Sequence, residues 1–85
     1  MLRLVPVPLG DVVAANVRAE RARRGWRQRD LGERLGWSAD TVSDLESGRR
    51  RIGIEDMPKL CRAFDVPLEQ LLHGANREDI EALRL

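Results

Sequence analysis

The sequence predicts an all-α domain: a compact bundle of five short helices, six if residues 77–84 also coil, preceded by an extended apolar arm. Three observations point there. Apolar residues recur at i, i+3 or i+4 spacing in one segment after another. No stretch alternates with period two for long enough to make a strand. Glycine or proline separates the periodic segments, at Gly25, Gly36, Gly48, Pro67 and Gly74. At 85 residues the chain makes one domain, whose core is only marginally stable alone and leaves association room to contribute.

The elements follow in order. Residues 1–9 read as an extended arm, because Pro6 and Pro8 bar a helix while Leu2, Leu4, Val5, Val7 and Leu9 are too apolar for a freely solvated tail. It should lie on its own domain, on a partner subunit, or on nothing in isolation. Asp11 is a plausible N-cap for a first helix that carries Val13 and Val17 on one face and stops at Gly25, after which Trp26 enters the core. Arg27 to Gly48 organises the rest. Leu31 and Leu35, four apart, give the first short helix of this stretch a narrow buried face, and Gly36 can end it in the left-handed conformation, with Trp37 as a wedge at the corner. Ser38 can then cap a second helix, Asp40 adds negative charge to its first turn, Val42 and Leu45 point inward, and Ser47-Gly48 stops it. Two amphipathic helices around a tight glycine corner are the layout of a helix-turn-helix.

After the basic loop that begins Arg49-Arg50-Arg51, Asp56 can cap a fourth helix whose stripe is Met57, Leu60, Cys61 and Phe64. Pro67 opens a fifth with Leu68, Leu71 and Leu72, closed by Gly74. Asn76 can cap a last piece with Ile80, Leu83 and Leu85 as an apolar edge. The organisation read from this is an arm over 1–9, a helix-turn-helix domain over 10–74 and a short C-terminal helix over 75–85.

Composition narrows the function. One cysteine, Cys61, and one histidine, His73, allow neither an internal disulfide nor a cluster with metal-ligand spacing, so neither a metal nor a cofactor is expected. No apolar run approaches the ~20 residues of a membrane span, and the prolines come too early for a signal peptide, so the expected location is cytoplasmic. Net charge is only +1, but residues 1–51 carry 11 Arg against 7 acids, +4, and residues 52–85 carry 4 basic against 7 acidic side chains, −3. Arg18, Arg21, Arg23, Arg24, Arg27 and Arg29 crowd into twelve residues with Glu20 the only acid among them. A planar guanidinium fork suits phosphate better than a point charge does, although a high-GC genome would favour arginine as well.

These residues resemble the phage-repressor/Cro-like, or XRE-like, helix-turn-helix regulators, from about Val13 to Leu72. The resemblance is carried by Arg21 and Arg24-Gly25, by Gln28 with Asp30-Leu31, by Gly36, by Ser38 to Arg49, and by Leu60, Phe64, Val66-Pro67 and Leu71-Leu72. It implies a lambda-repressor-like bundle. It also implies that Gln28 lies against a phosphate at the start of the scaffold helix, that Ala39, Asp40, Thr41, Ser43 and Asp44 face the groove as base readers, and that Arg21 pairs with Glu46. Helix N-termini offer free amides and a positive dipole end to phosphate, so Arg27, Gln28 and Ser38, together with Arg49, Arg50 and Arg51, are the expected phosphate contacts. Three positions depart from the family pattern. Arg27 stands where a Ser or Thr cap is usual, which removes a cap of ~1 kcal/mol, Gly32 replaces a common alanine, and Trp37 replaces a smaller residue. Asp40 and Asp44 either accept from cytosine amino groups, or serve the helix dipole and a nearby arginine respectively.

Two functions compete. The first is a sequence-specific double-stranded DNA-binding regulator, a dimeric repressor or Cro-like switch on a pseudo-palindromic operator, with Ile52, Ile54, Val66, Ile80, Leu83 and Leu85 at the homodimer interface. The second is an antitoxin or other interaction module that holds a protein partner with the same fold. Catalysis is a distant third, since no nucleophile-base pair, carboxylate pair or phosphate loop is present in the sequence.

Overall fold

A proline sets where the first helix begins. In the computed structural model, which describes residues 7–85, Pro8 has φ −58° and its carbonyl accepts from the N–H groups of Asp11 and Val12 at 3.0 and 3.1 Å. Helix α1 therefore runs Leu9–Arg23, three residues earlier than an Asp11 cap would allow, and Leu9 belongs to it rather than to the arm. Asp11 instead lies exposed in its first turn, where negative charge favours the dipole. Of the arm expected over residues 1–9, residues 1–6 lie outside the described residues.

Five further helices follow, and no strand occurs among the described residues: α2 Gln28–Leu35, α3 Ala39–Ser47, α4 Asp56–Phe64, α5 Leu68–Leu71 and α6 Arg77–Ala82. Helix α4 opens differently from the sequence expectation. Asp56 is its first helical residue rather than its cap, and its carboxylate reaches back to accept from the Gly53 N–H at 2.8 Å, closing the loop onto the helix. Helix α5 is a single turn capped by Leu72, and Gly74, with φ +89°, bends the connection towards α6 instead of ending α5. Asn76 caps α6 by accepting from the Glu78 N–H at 3.1 Å.

The core is assembled from all of α1 to α5. Val17, Leu31, Val42, Leu45, Leu60 and Leu71 are fully buried, and each contributes on the order of 1.5–3 kcal/mol by leaving water. Trp26 packs over Phe64 with ring centroids 5.7 Å apart and planes 15° from parallel. The Arg24 guanidinium covers the Phe64 ring at 5.1 Å and donates to the Phe64 carbonyl at 2.7 Å, which joins the end of α1 to the end of α4.

Two polar ties that periodicity does not reveal dock α5. Asn16 on α1 donates to the carbonyls of Leu71 at 2.6 Å and His73 at 3.0 Å, satisfying acceptors that the end of so short a helix leaves open. Glu20, also on α1 and only 3% exposed, accepts from Arg23 at 2.7 Å, Arg24 at 2.6 Å and Gln70 at 3.1 Å. Burial alone would raise the Glu20 pKa, but the bonds from Arg24, Gln70 and Arg23 outweigh it and bring the value down from 4.5 to about 2.

That depression makes stability depend on pH in a defined direction. The folded carboxylate holds its proton less tightly than the unfolded one, so the contribution, about 3 kcal/mol by linkage, is complete above the ordinary carboxylate pKa and is lost as pH falls towards 2. The melting temperature of the wild-type chain should therefore fall between pH 5 and pH 2 more steeply than that of Glu20→Gln. Parallel pH profiles for the two proteins would contradict this.

Candidate functional site

The corner between α2 and α3 is built from backbone. Gly36 takes φ +76°, turning the chain so that the Trp37 N–H donates to the Gly32 carbonyl at 2.8 Å. Gly32 is part of the same construction: a Cβ there would stand 2.5 Å from the Trp37 carbonyl oxygen, so glycine lets the corner close tightly over α2. At the start of α2, Arg27 offers no acceptor, but the Asp30 carboxylate accepts from the Arg27 N–H at 2.8 Å, so the opening turn is not left without a cap. This is the reciprocal half of a capping box, and the Asp three residues after the N-cap was its available sequence signal. Ser38 caps α3 by accepting from the Thr41 N–H at 3.1 Å.

The inner face of α3 is held by one carboxylate. Glu46 receives a bidentate pair from Arg21, with Nε at 2.7 Å and Nη2 at 3.0 Å, and a further bond from the Gln28 amide at 3.2 Å. Arg21 also donates to the Trp26 carbonyl at 2.8 Å, and Arg18 donates to the Glu46 carbonyl at 3.1 Å, a contact that sequence periodicity gave no sign of. The side chains of Arg21 and Glu46 are 18% and 2% exposed, so the bonds form largely out of water, where they are strong. The hydrogen bonds to Glu46 push the Arg21 pKa up, so the guanidinium stays charged. The arrangement fixes α1, the start of α2 and the end of α3 to one another.

The outer face of α3 is left open. With Val42, Leu45 and Glu46 turned inward, Asp40, Ser43 and Asp44 occupy the opposite side, and Ala39 and Thr41 lie at its edges. Asp40 is exposed and the other four are half-buried. Around this face the arginines have separate fates. Arg27, Arg29 and Arg51 are exposed. Arg49 folds back so that its Nε donates to Asp44 at 2.9 Å. Arg50 turns the other way: it covers the Trp37 ring at 4.3 Å and donates to Asp56 at 2.9 Å. Burial would raise the Asp56 pKa, and the bonds from Arg50 and Gly53 lower it instead. Arg50 thus ties the loop after α3 to α4, and Gln28 is engaged with Glu46, so these two of the expected phosphate contacts are committed within the fold.

Of the six apolar residues assigned to an interface, Ile54, Leu83 and Leu85 are exposed, at 83%, 48% and 45%. Ile52, Val66 and Ile80 are half-buried against the core. No group of three or more His, Cys, Asp or Glu side chains that could hold a metal occurs among the described residues, and none of their helices is long and apolar enough to cross a membrane.

The clamp makes a quantitative demand. Glu46→Ala leaves the Arg21 guanidinium largely buried without its carboxylate, which should cost about 3 kcal/mol. Chemical denaturation would check it: a midpoint equal to that of the wild type would mean that the clamp holds nothing.

The fold and its open helix can be set beside known proteins. A family model described as a helix-turn-helix domain matches residues 12–74. Multiprotein-bridging factor 1 of Schizosaccharomyces pombe is 33% identical over 70 residues, 82% of this chain and 47% of that protein, so the chain spans about half the length of that relative. The clp gene regulator ClgR of Corynebacterium glutamicum superposes with a TM-score of 0.74 at 28% identity, over 94% of this chain and 83% of that one. The P22 c2 repressor, in complex with synthetic operator 9T, superposes with a TM-score of 0.63 at 27% identity, over 73% and 94% of the two chains. With its scaffold helix, glycine corner and capped second helix in this arrangement, the chain belongs to the helix-turn-helix domain family, on its phage-repressor-like or XRE-like side.

Proposed function

We propose that the chain is a sequence-specific, double-stranded DNA-binding transcription regulator that acts as a homodimeric repressor or Cro-like switch, with α3 in the major groove. The observation that carries the reading is the division of labour on α3: its inner face is committed to the core and to the Arg21 clamp, while its capped N-terminus and outer face are open and flanked by exposed arginines. Small side chains at Ala39, Thr41 and Ser43 permit a close approach to base edges. The amide groups at the N-terminus of α2, with Arg27 beside them, suit one phosphate run, and Arg51 beyond the end of α3 suits another. The P22 c2 repressor, solved with operator DNA, supports the same use of the fold.

The homodimer is supported by an exposed apolar surface. An open groove of about 560 Å³ runs between the start of α1, the loop before α4 and the C-terminal end, lined by Leu9, Ile52, Ile54, Met57, Leu68 and Leu83 among others. Ile54 and Leu83 stand exposed at its rim, a solvent-facing apolar patch of the kind that marks a protein interface. Two copies joined there would present two α3 helices to successive major-groove faces, about one DNA turn or ~34 Å apart, on a pseudo-palindrome.

Selection from a randomised duplex pool tests this, followed by affinity measurement at two salt concentrations. The chain should enrich a pseudo-palindrome, and Arg51→Ala should weaken binding to all duplexes alike while lowering the salt slope by ~1. Sedimentation should find two chains per duplex. Enrichment of no sequence would reject base readout, and one chain per duplex with a monomer in free solution would reject the homodimer.

A further inference from the structure

Three consecutive arginines follow α3, and only one of them is delivered onto the outer face of that helix. The loop is tied to the last turn of α3 on both sides of Arg49: the Gly48 N–H donates to the Leu45 carbonyl at 3.2 Å, and the Arg50 N–H donates to the Asp44 carbonyl at 3.0 Å. The Arg49 backbone is thereby fixed, and its side chain returns to Asp44, where Nε meets Oδ1 at 2.9 Å. Asp44 lies one turn after Asp40 on the same side of the helix, so the guanidinium is carried into the row of side chains proposed to meet the bases.

The pair is oriented without being hidden. The Arg49 side chain remains 66% exposed and that of Asp44 46%. A guanidinium has five N–H donors, and the bond to Asp44 uses the one on Nε. The four on Nη1 and Nη2 remain as a planar fork with no other partner among the described residues. In the major groove guanine offers two adjacent acceptors, N7 and O6, whereas adenine offers one acceptor beside a donor, so a fork of donors fits guanine alone. Asp44 also loses its objection to DNA in this arrangement, since its charge is met by Arg49 rather than left facing phosphates.

We propose that Asp44 and Arg49 form a composite base reader, in which the carboxylate holds the guanidinium by Nε and its terminal amino groups recognise a guanine through N7 and O6. The proposal rests on the DNA-binding reading above and changes the role of Arg49 within it, from a phosphate contact to a determinant of specificity. Asp44 is a positioning residue that acts through Arg49. By holding the fork before DNA arrives, it lowers the side-chain entropy lost on binding.

The experiment uses the full chain and the duplex enriched from a random pool, with that duplex also substituted one base pair at a time. Arg49→Ala and Asp44→Ala should both relax the preference at the same G·C pair, with a loss on the order of 10- to 100-fold on the enriched site for Arg49→Ala. Arg49→Lys keeps the charge and loses the fork, so it should retain the salt slope yet lose the preference. Both side chains are on the surface, so melting temperatures should stay at the wild-type value. The composite reader is overturned if Arg49→Ala weakens all duplexes equally while Arg49→Lys behaves as wild type, which is the signature of a phosphate contact. It is overturned equally if Asp44→Ala tightens every duplex and leaves base preference unchanged. A wild-type chain that binds no duplex overturns the DNA-binding reading itself, and this inference with it.

Discussion

Glu46 is a carboxylate almost entirely out of water, and a charge in that position holds only if its oxygens are satisfied by fixed donors. The donors come from two other helices: Arg21 near the end of α1 and Gln28 at the first position of α2. Arg21 is held in turn by the Trp26 carbonyl, so the connection between α1 and α2 is locked by the same group. Hydrophobic packing of Val42 and Leu45 brings α3 to the core but tolerates small slides, because apolar contact is not directional. A bidentate ion pair does not tolerate them. The pose of α3, and hence the direction its outer face takes, follows from this constraint.

Charge is distributed to serve that pose. The basic half of the chain contains seven acids, and four of them are engaged by partners within the fold: Glu20 docks α5, Asp30 closes the start of α2, Asp44 takes Arg49, and Glu46 takes Arg21. Arg29 and Arg51 stand exposed with no carboxylate within ion-pair distance among the described residues, and Arg27 keeps its exposed guanidinium 3.4 Å from Asp30. A net charge of +1 conceals this, because the surplus is local.

Much of the architecture was legible because it is written in short-range rules. Leu31 and Leu35, Gly36, Ser38 and Gly48 each carry a local signal that tertiary contacts leave unchanged, and the helix-turn-helix followed from them. What stayed hidden depends on distant partners. Glu20 looks like one more surface acid until Gln70, fifty residues on, is seen to reach it, and Asn16 gives no hint that it caps the end of α5. Asp11 is a better N-cap by type than Pro8, yet a proline carbonyl with the right fixed φ started the helix earlier. The run Arg49-Arg50-Arg51 is uniform as sequence and divided as structure, since only three-dimensional placement assigns one arginine to Asp44, the next to Trp37 and Asp56, and leaves the third exposed.

In the proposed complex α3, fixed from behind by the Glu46 clamp, presents its outer face to DNA. Amide chemical-shift mapping of the isotopically labelled chain tests it most directly, as a pool-selected duplex is added. The largest changes are expected at Arg27 to Arg29, Ser38 to Asp44 and Arg49 to Arg51. Changes concentrated instead at Ile52 to Met57, Leu68 to Leu72 and Leu83, with Ser38 to Asp44 unmoved, would contradict it.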